Sequence, residues 1–221
     1  MAQTTVDLDS KVLLESGFLP SSQNKALKFL KRQVLDDKRF RSAVKAFFGP
    51  EKCVLAHSLR YGNRPGFVEC HVKGGPKAGR LALMVHVLTR GSRVEYYRGS
   101  HVHELRTIEG QRGLYEVDAL EVADLELWVA GDERLTEGGK VVLDGRLCFQ
   151  IAQLYTITFI FTTEALAMTL PKMSLPNSDE LVLKISDIEK FLQEIAASEN
   201  INIGLNFRFV ESPGNAGVEI R

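Results

Sequence analysis

The feature that most constrains this chain is a change in its apolar period at residue 53. From there to residue 162, the segments 53–59, 66–72, 80–88, 93–97, 114–122, 140–143, 147–152 and 155–162 either alternate apolar with polar residues or run apolar and β-branched, with Gly, Pro or Asn between them. A period of two sends successive side chains to opposite faces of an extended segment, so one face can enter a core while the other meets solvent. Eight short segments at this density predict an all-β sandwich or barrel as the centre of the fold.

The flanks follow the helical period instead. Ser21 and Ser22 can cap a helix whose apolar face is Ala26, Leu27, Leu30, Val34 and Leu35. Asp36-Asp37 interrupts it, and Phe40, Val44, Phe47 and Phe48 carry a second face as far as Gly49-Pro50, which predicts one or two amphipathic helices over 22–48. Residues 163–180 hold Pro171 and Pro176 and read as a crossing loop. A strand is predicted over 181–185. Ser186 with Glu189 then reads as the capping box of a helix over 187–198 that buries Ile188, Phe191, Leu192 and Ile195. Residues 202–210 alternate as an outer strand, and 212–217 (SPGNAG) read as a frayed tail. With no internal repeat, the expectation is one mainly β domain of the α+β kind over 1–221. Its helical segment is 22–48, its β-barrel core 53–162, and a strand–helix–strand unit over 181–210 packs outside with the N-terminal helices.

A chain of 221 residues buries roughly 70% of its unfolded surface and needs no covalent staple to fold. Cys53, Cys70 and Cys148 are odd in number and widely spread, so they read as reduced core thiols rather than a disulfide framework or zinc module. The segment MAQTTVDLDSK has no apolar core of the signal-peptide kind, and 151–161 is too short to span a bilayer and is broken by Gln153, Thr156 and Thr158. The expected protein is therefore soluble and cytoplasmic, with no membrane partner. Lys plus Arg and Asp plus Glu both total 28, which removes the simplest electrostatic case for nucleic acid. Arg90, Arg93, Tyr96, Tyr97, Arg98 and Arg106 resemble a stacking, basic face, but Glu116, Asp118, Glu121, Asp124 and Glu126 lie close by as partners. Residues 1–113 carry 20 basic and 10 acidic groups and the remainder 8 and 18, an opposition that suits a self-complementary homodimer.

The densest polar cluster is Gly99-Ser100-His101-Val102-His103-Glu104, with Glu109 beyond it. His101 and His103 alternate, which on an extended segment would present two imidazoles to one metal with Glu109 as a third ligand, in the manner of a cupin; the Gly-Ser pair reads equally as a turn. No phosphate-binding loop, nucleophile elbow or HExxH motif occurs, and GGPKAG at 74–79 lacks P-loop spacing. The run from His71 through the loop KGGPKAG, the apolar strand RLALMVHVL, the turn at Gly91, the strand RVEYY and Gly99-Ser100-His101 resembles the central region of the phytanoyl-CoA dioxygenase-like oxygenases. In that family a His-x-Asp precedes a loop, an apolar strand, a glycine turn, a short strand and Gly-Ser-His. Residues 138–151 (GGKVVLDGRLCFQI) resemble the strand on which the family presents its second metal histidine. The resemblance covers about 71–161 and implies a double-stranded β-helix, jelly-roll or cupin-like, with a pocket at one open end.

The departures from the family decide what it implies for function. His71 falls on the first histidine, but Lys73 stands at the carboxylate and Phe149 at the second histidine, with Cys148 beside it. An ammonium has no lone pair to give a metal. The stretch 155–161 offers no basic residue where the family holds the 2-oxoglutarate carboxylate. Ordinary Fe(II)/2-oxoglutarate chemistry is thus not expected, and neither a resident metal nor another cofactor is. The barrel mouth would instead use His71, Lys73 and Tyr96 as acid–base residues, with His86, Asp144 and Phe149 contacting a small organic ligand and His57 nearby. The expected activity is small-molecule binding, with isomerisation or cyclisation as its catalytic form. The alternatives are a non-catalytic dimeric scaffold and a metal-dependent oxygenase or cupin using His71 or His101, His103 and Glu109. The bland readings stand beside these: His71 as a bonded wall histidine, Lys73 as a solvated loop lysine, Asp144 as a turn residue paired with Arg146.

Overall fold

The computed structural model describes residues 23–111, 113–125, 129–130 and 137–211. The N-terminal helices are α1 (Gln23–Leu30), continued by a π-turn over Lys31–Leu35, and α2 (Lys38–Phe48). Asp36 ends the first and Asp37 starts the second: the Asp37 carboxylate accepts the Arg39 N–H at 2.9 Å, the usual satisfaction of a free N-terminal donor. The strands are β1 (Cys53–Gly62), β2 (Val68–Cys70), β3 (Ala82–Leu88), β4 (Arg93–Tyr97), β5 (Thr107–Glu109), β6 (Tyr115–Val117), β7 (Val129–Ala130), β8 (Gly139–Asp144), β9 (Cys148–Gln153) and β10 (Tyr155–Thr163). A short helix α3 (Ala119–Asp124) follows β6. After β10 come α4 (Glu164–Thr169), β11 (Met173–Pro176), α5 (Asp179–Glu199), β12 (Ile203–Leu205) and β13 (Phe207–Val210).

Two sheets carry the fold, in the orders β12-β1-β10-β3-β8 and β5-β6-β2-β9-β4-β7, with β11 and β13 a separate pair. From β1 to β4 successive strands alternate between the sheets, and they do so again from β7 to β10, with β5 and β6 extending the second sheet. Among the described residues neither sheet closes on itself, so the observed architecture is a mixed α+β fold of open sheets rather than a continuous barrel.

β3 and β10 are buried on both faces, which is why β3 runs apolar and β10 puts only threonine and isoleucine, and no charge, on its inner side. Their outer side, with Leu83, Val85, Val87, Ile157, Phe159 and Phe161, receives the helices: Phe40 lies 4.8 Å from Phe161 and Phe29 lies 6.3 Å from Phe159, centroid to centroid. Arg41, itself buried, ties this layer together through Glu199 of α5 and the Leu35 carbonyl. The inner side joins the two sheets through Tyr61, Met84, Leu88, Val94, Tyr96, Phe149, Ile151 and Ile160. Beyond the second sheet, α3 packs Val122 on Val68, Cys70, Val117 and Cys148.

Seven of the eight predicted strands form within a few residues of their expected bounds. The eighth, 114–122, is a strand only over Tyr115–Val117, because the Asp118 carboxylate caps the Leu120 N–H and turns the chain into α3. The predicted crossing loop at 163–180 instead holds α4, capped by Thr163, and β11, which pairs in parallel with β13. The predicted strand at 181–185 is the start of α5. Ser178 caps that helix through Leu181 N–H, and Leu181, Ile185, Ile188, Leu192 and Ile195 form one helical stripe running straight through Ser186. The outer strand predicted over 202–210 divides into β12, parallel to β1, and β13. The tail at 212–217 lies outside the described residues.

Candidate functional site

Alternate residues of β10, namely Thr156, Thr158, Ile160 and Thr162, face the second sheet and stand opposite Leu88, His86, Met84 and Ala82 of β3. His86 is wholly buried there. Its Nδ1 is 3.1 Å from the Tyr96 hydroxyl on β4, and its ring meets the Phe149 ring of β9 edge-on at 4.8 Å. Three residues singled out from sequence, His86, Tyr96 and Phe149, are thus brought together between the sheets. Burial pushes the Tyr96 phenol well above its ordinary range, so it keeps its proton, and drives the His86 imidazole down to about 3, so the ring is neutral. A phenol O–H donating to Nδ1 leaves the ring proton on Nε2, and among the described residues that nitrogen has no partner. Thr158, directly across the ladder from His86, also has an unpartnered buried hydroxyl, as does Thr162 on the same face.

His71 sits one residue past β2. The β8–β9 turn holds it there: Gly145 O accepts both the His71 and Val72 N–H groups at 2.9 Å. Gly145 suits that turn because a Cβ would come within 2.8 Å of the Ala82 Cβ. A carbonyl only accepts, so the 2.8 Å contact between His71 Nδ1 and Gly113 O fixes the proton on Nδ1 and makes Nε2 the basic nitrogen. Burial, only partly offset by that bond, takes the His71 imidazole down to about 4, with a small further push from His57. His57 on β1 is itself lowered by burial.

The remaining predicted residues lie elsewhere. Lys73 is exposed, with its ammonium 5.1 Å from the Tyr115 ring centroid. Asp144 is occupied by Arg146, which gives it the backbone N–H and Nε at 2.9 Å and Nη2 at 2.6 Å. His71, Lys73 and Tyr96 therefore have three different neighbours, Gly113, Tyr115 and His86. His101 stands on a 3-10 turn over Ser100–Val102 that packs its carbonyls on Gly74, while Glu109 is exposed on β5. Among the described residues no three His, Cys, Asp or Glu side chains group as metal ligands.

Sequence reasoning missed two features. Glu69, between Val68 and Cys70, is buried and bonded by Arg64 Nη1, while Arg64 Nη2 reaches Glu116 at 2.8 Å. Burial raises the Glu69 carboxyl and Arg64 opposes that rise. Cys70 and Cys148 are the other feature: the antiparallel register that pairs Glu69 with Phe149 sets these two thiols opposite each other. Arg106 does find an acidic partner in the run anticipated for it: its Nε lies 3.6 Å from Glu121 Oε2, which also accepts the Arg106 backbone N–H at 2.9 Å. Among the described residues no helix is long and apolar enough to cross a membrane. No family model matches the chain, and no curated protein matches it.

Proposed function

We propose that this is a double-stranded β-helix protein that binds a small, uncharged organic molecule between its sheets without a redox metal. The orders β1-β10-β3-β8 and β2-β9-β4-β7 within the two sheets, and the alternation of successive strands between them, support that fold reading. The observation that carries the ligand reading is the unpartnered pair His86 Nε2 and Thr158 Oγ1 on facing positions of β3 and β10. Roughly nine in ten buried polar groups find a partner, and an unpaired one costs about 1–3 kcal/mol. Two such atoms side by side therefore mark where a third group completes the bonding. The ring nitrogen donates, the hydroxyl donates or accepts, and among the described residues no charged side chain bonds to either, which suits a neutral hydroxyl, carbonyl or amide. Where chemistry accompanies binding, His71 Nε2 is the base, neutral at pH 7 and oriented by Gly113.

The test is side-chain ¹⁵N NMR of the histidines during titration with cyclohexanol, cyclohexanone and benzamide as probes. Saturable shifts of the His86 ring, absent in a folded Thr158→Val variant, are the expected result; a His86 signal unmoved by all three would refute the reading. A second reading, a non-catalytic cytoplasmic scaffold acting as a homodimer, is favoured by the near-complete burial of Met84, Phe149, Ile151 and Ile160 between the sheets. It predicts a concentration-dependent dimer by sedimentation together with no probe binding.

A further inference from the structure

We propose that Cys70 and Cys148 are a peroxide-responsive dithiol, closing to an intramolecular disulfide that staples β2 to β9. This rests on the register of the second sheet and stands independently of the ligand reading. Glu69 pairs with Phe149 in an antiparallel ladder, so the next rung sets Cys70 against Cys148. The Cys148 N–H turns away from β2 to the Ser100 hydroxyl oxygen at 2.8 Å, so no backbone bond from Cys148 N crosses to Cys70. Opposed residues in such a non-hydrogen-bonded rung have Cα atoms about 4.5 Å apart. Disulfides accept Cα separations of roughly 4.4–6.8 Å, so the bridge needs side-chain rotation and no movement of strands. Both residues present their side chains to the face that α3 covers, within one cluster with Val68, Val117 and Val122.

The surroundings give the two sulfurs different roles. The Cys70 thiol donates to the Cys148 sulfur, and the Ser100 hydroxyl supports the same atom, so the Cys148 thiol is held below its ordinary value. Cys70 is pushed well up, by its bond to Cys148 first and burial second. With the Ser100 hydroxyl held 2.8 Å from its backbone nitrogen, Cys148 has the polar neighbour that supports a thiolate, which assigns it as the attacking thiol and Cys70 as the resolving one. Both are nearly fully buried, which favours a small neutral oxidant over a bulky disulfide. The Cys148 thiolate attacks one oxygen of hydrogen peroxide; the O–O bond breaks, hydroxide leaves and takes a proton to become water, and a sulfenic acid remains. Cys70 loses its proton and attacks the Cys148 sulfur, forming the S–S bond and expelling the sulfenic oxygen as a second water. Two thiols lose two electrons and two protons in total, and one peroxide is reduced to two waters. Cys53, buried on β1 in the helix-packed layer of the other sheet, is an internal control.

The full-length protein is exposed to hydrogen peroxide, quenched, and alkylated in denaturant before non-reducing peptide mapping. The expected result is a fall from three free thiols to one, with a Cys70–Cys148 linked peptide lighter by two hydrogens and Cys53 fully alkylated. Three free thiols after a dose that oxidises the same protein in urea would overturn the proposal, and so would linkage through Cys53 or between chains. In Cys70→Ser, a dimedone adduct at Cys148 is expected at least tenfold above that at Cys70 in Cys148→Ser; the reverse preference overturns the assigned direction of attack. Should either variant not fold, the wild-type map alone decides.

Discussion

The two buried imidazoles should make this protein lose stability on mild acidification, by an amount the structure sets. An unfolded histidine titrates near 6.5. In the folded chain burial takes His86 to about 3 and His71 to about 4. Both folded values lie below the unfolded one, so between them the unfolded chain binds more protons than the folded chain. Their contribution is complete above pH ~7 and is lost as pH falls through 6.5 toward the folded values. Moving from about pH 7.5 to about pH 5.5 costs roughly 1.4 kcal/mol per imidazole, or about 2.7 kcal/mol for the pair. His57, also lowered, adds in the same direction. The carboxylates with depressed values, Asp37 and Glu199, act only at lower pH, whereas Glu69, raised by burial, binds its proton more readily in the fold and offsets part of the loss toward the acid end. Urea unfolding at several pH values across the window measures the loss. His86→Phe keeps the ring contact with Phe149 but frees the Tyr96 hydroxyl from its partner, a penalty that does not vary with pH here. Whatever that variant's absolute stability, its pH-dependent loss should shrink by about 1.4 kcal/mol, near half. An unchanged pH slope in His86→Phe would mean that the imidazole is hydrated or charged in the fold, and the neutral-interior argument would fail.

Two further outcomes follow from other contacts. Arg64→Met leaves the Glu69 carboxylate buried without its cation and should cost about 3–5 kcal/mol in urea unfolding near pH 7, with most of it regained in Arg64→Met/Glu69→Gln and part regained on acidification as Glu69 takes up a proton. Gly145→Ala places a methyl 2.8 Å from the Ala82 Cβ and 3.1 Å from its carbonyl, and should lower stability by about 1–3 kcal/mol by thermal unfolding while weakening the turn that holds His71.

What the sequence made legible divides along physical lines. Strands whose side chains alternate or run β-branched between Gly and Pro were recoverable, and Arg93–Tyr97 was read to the residue, because local pattern and tertiary demand agree there. The start of α5 reads as a strand from sequence because Leu181-Val182-Leu183 is a short apolar run that fits either period. Only the longer stripe through Ile195, with Ser178 as its cap, separates them. β11 and β13 pair in parallel across 34 residues, a partnership no local signal announces. The site shows the same divide more sharply. His86, Tyr96 and Phe149 could each be singled out as chemically suggestive residues, yet their meeting depends on three strands from two sheets. Thr158 was invisible because a threonine on a strand is ordinary until the register shows which histidine it faces. Asp144 is the opposite case: the Asp-Gly-Arg spacing itself offers Arg146 as a local partner, and that guanidinium uses both carboxylate oxygens. Glu69, the buried member of the Arg64–Glu69–Glu116 set, is neutralised by a half-buried guanidinium. One guanidinium answers two carboxylates, and what remains facing the space between the sheets is neutral imidazole and hydroxyl. An interior of that kind discriminates by hydrogen-bond complementarity rather than by charge. Its occupant should therefore bind with little dependence on ionic strength, and with pH dependence only as the pH falls toward about 3, where His86 charges.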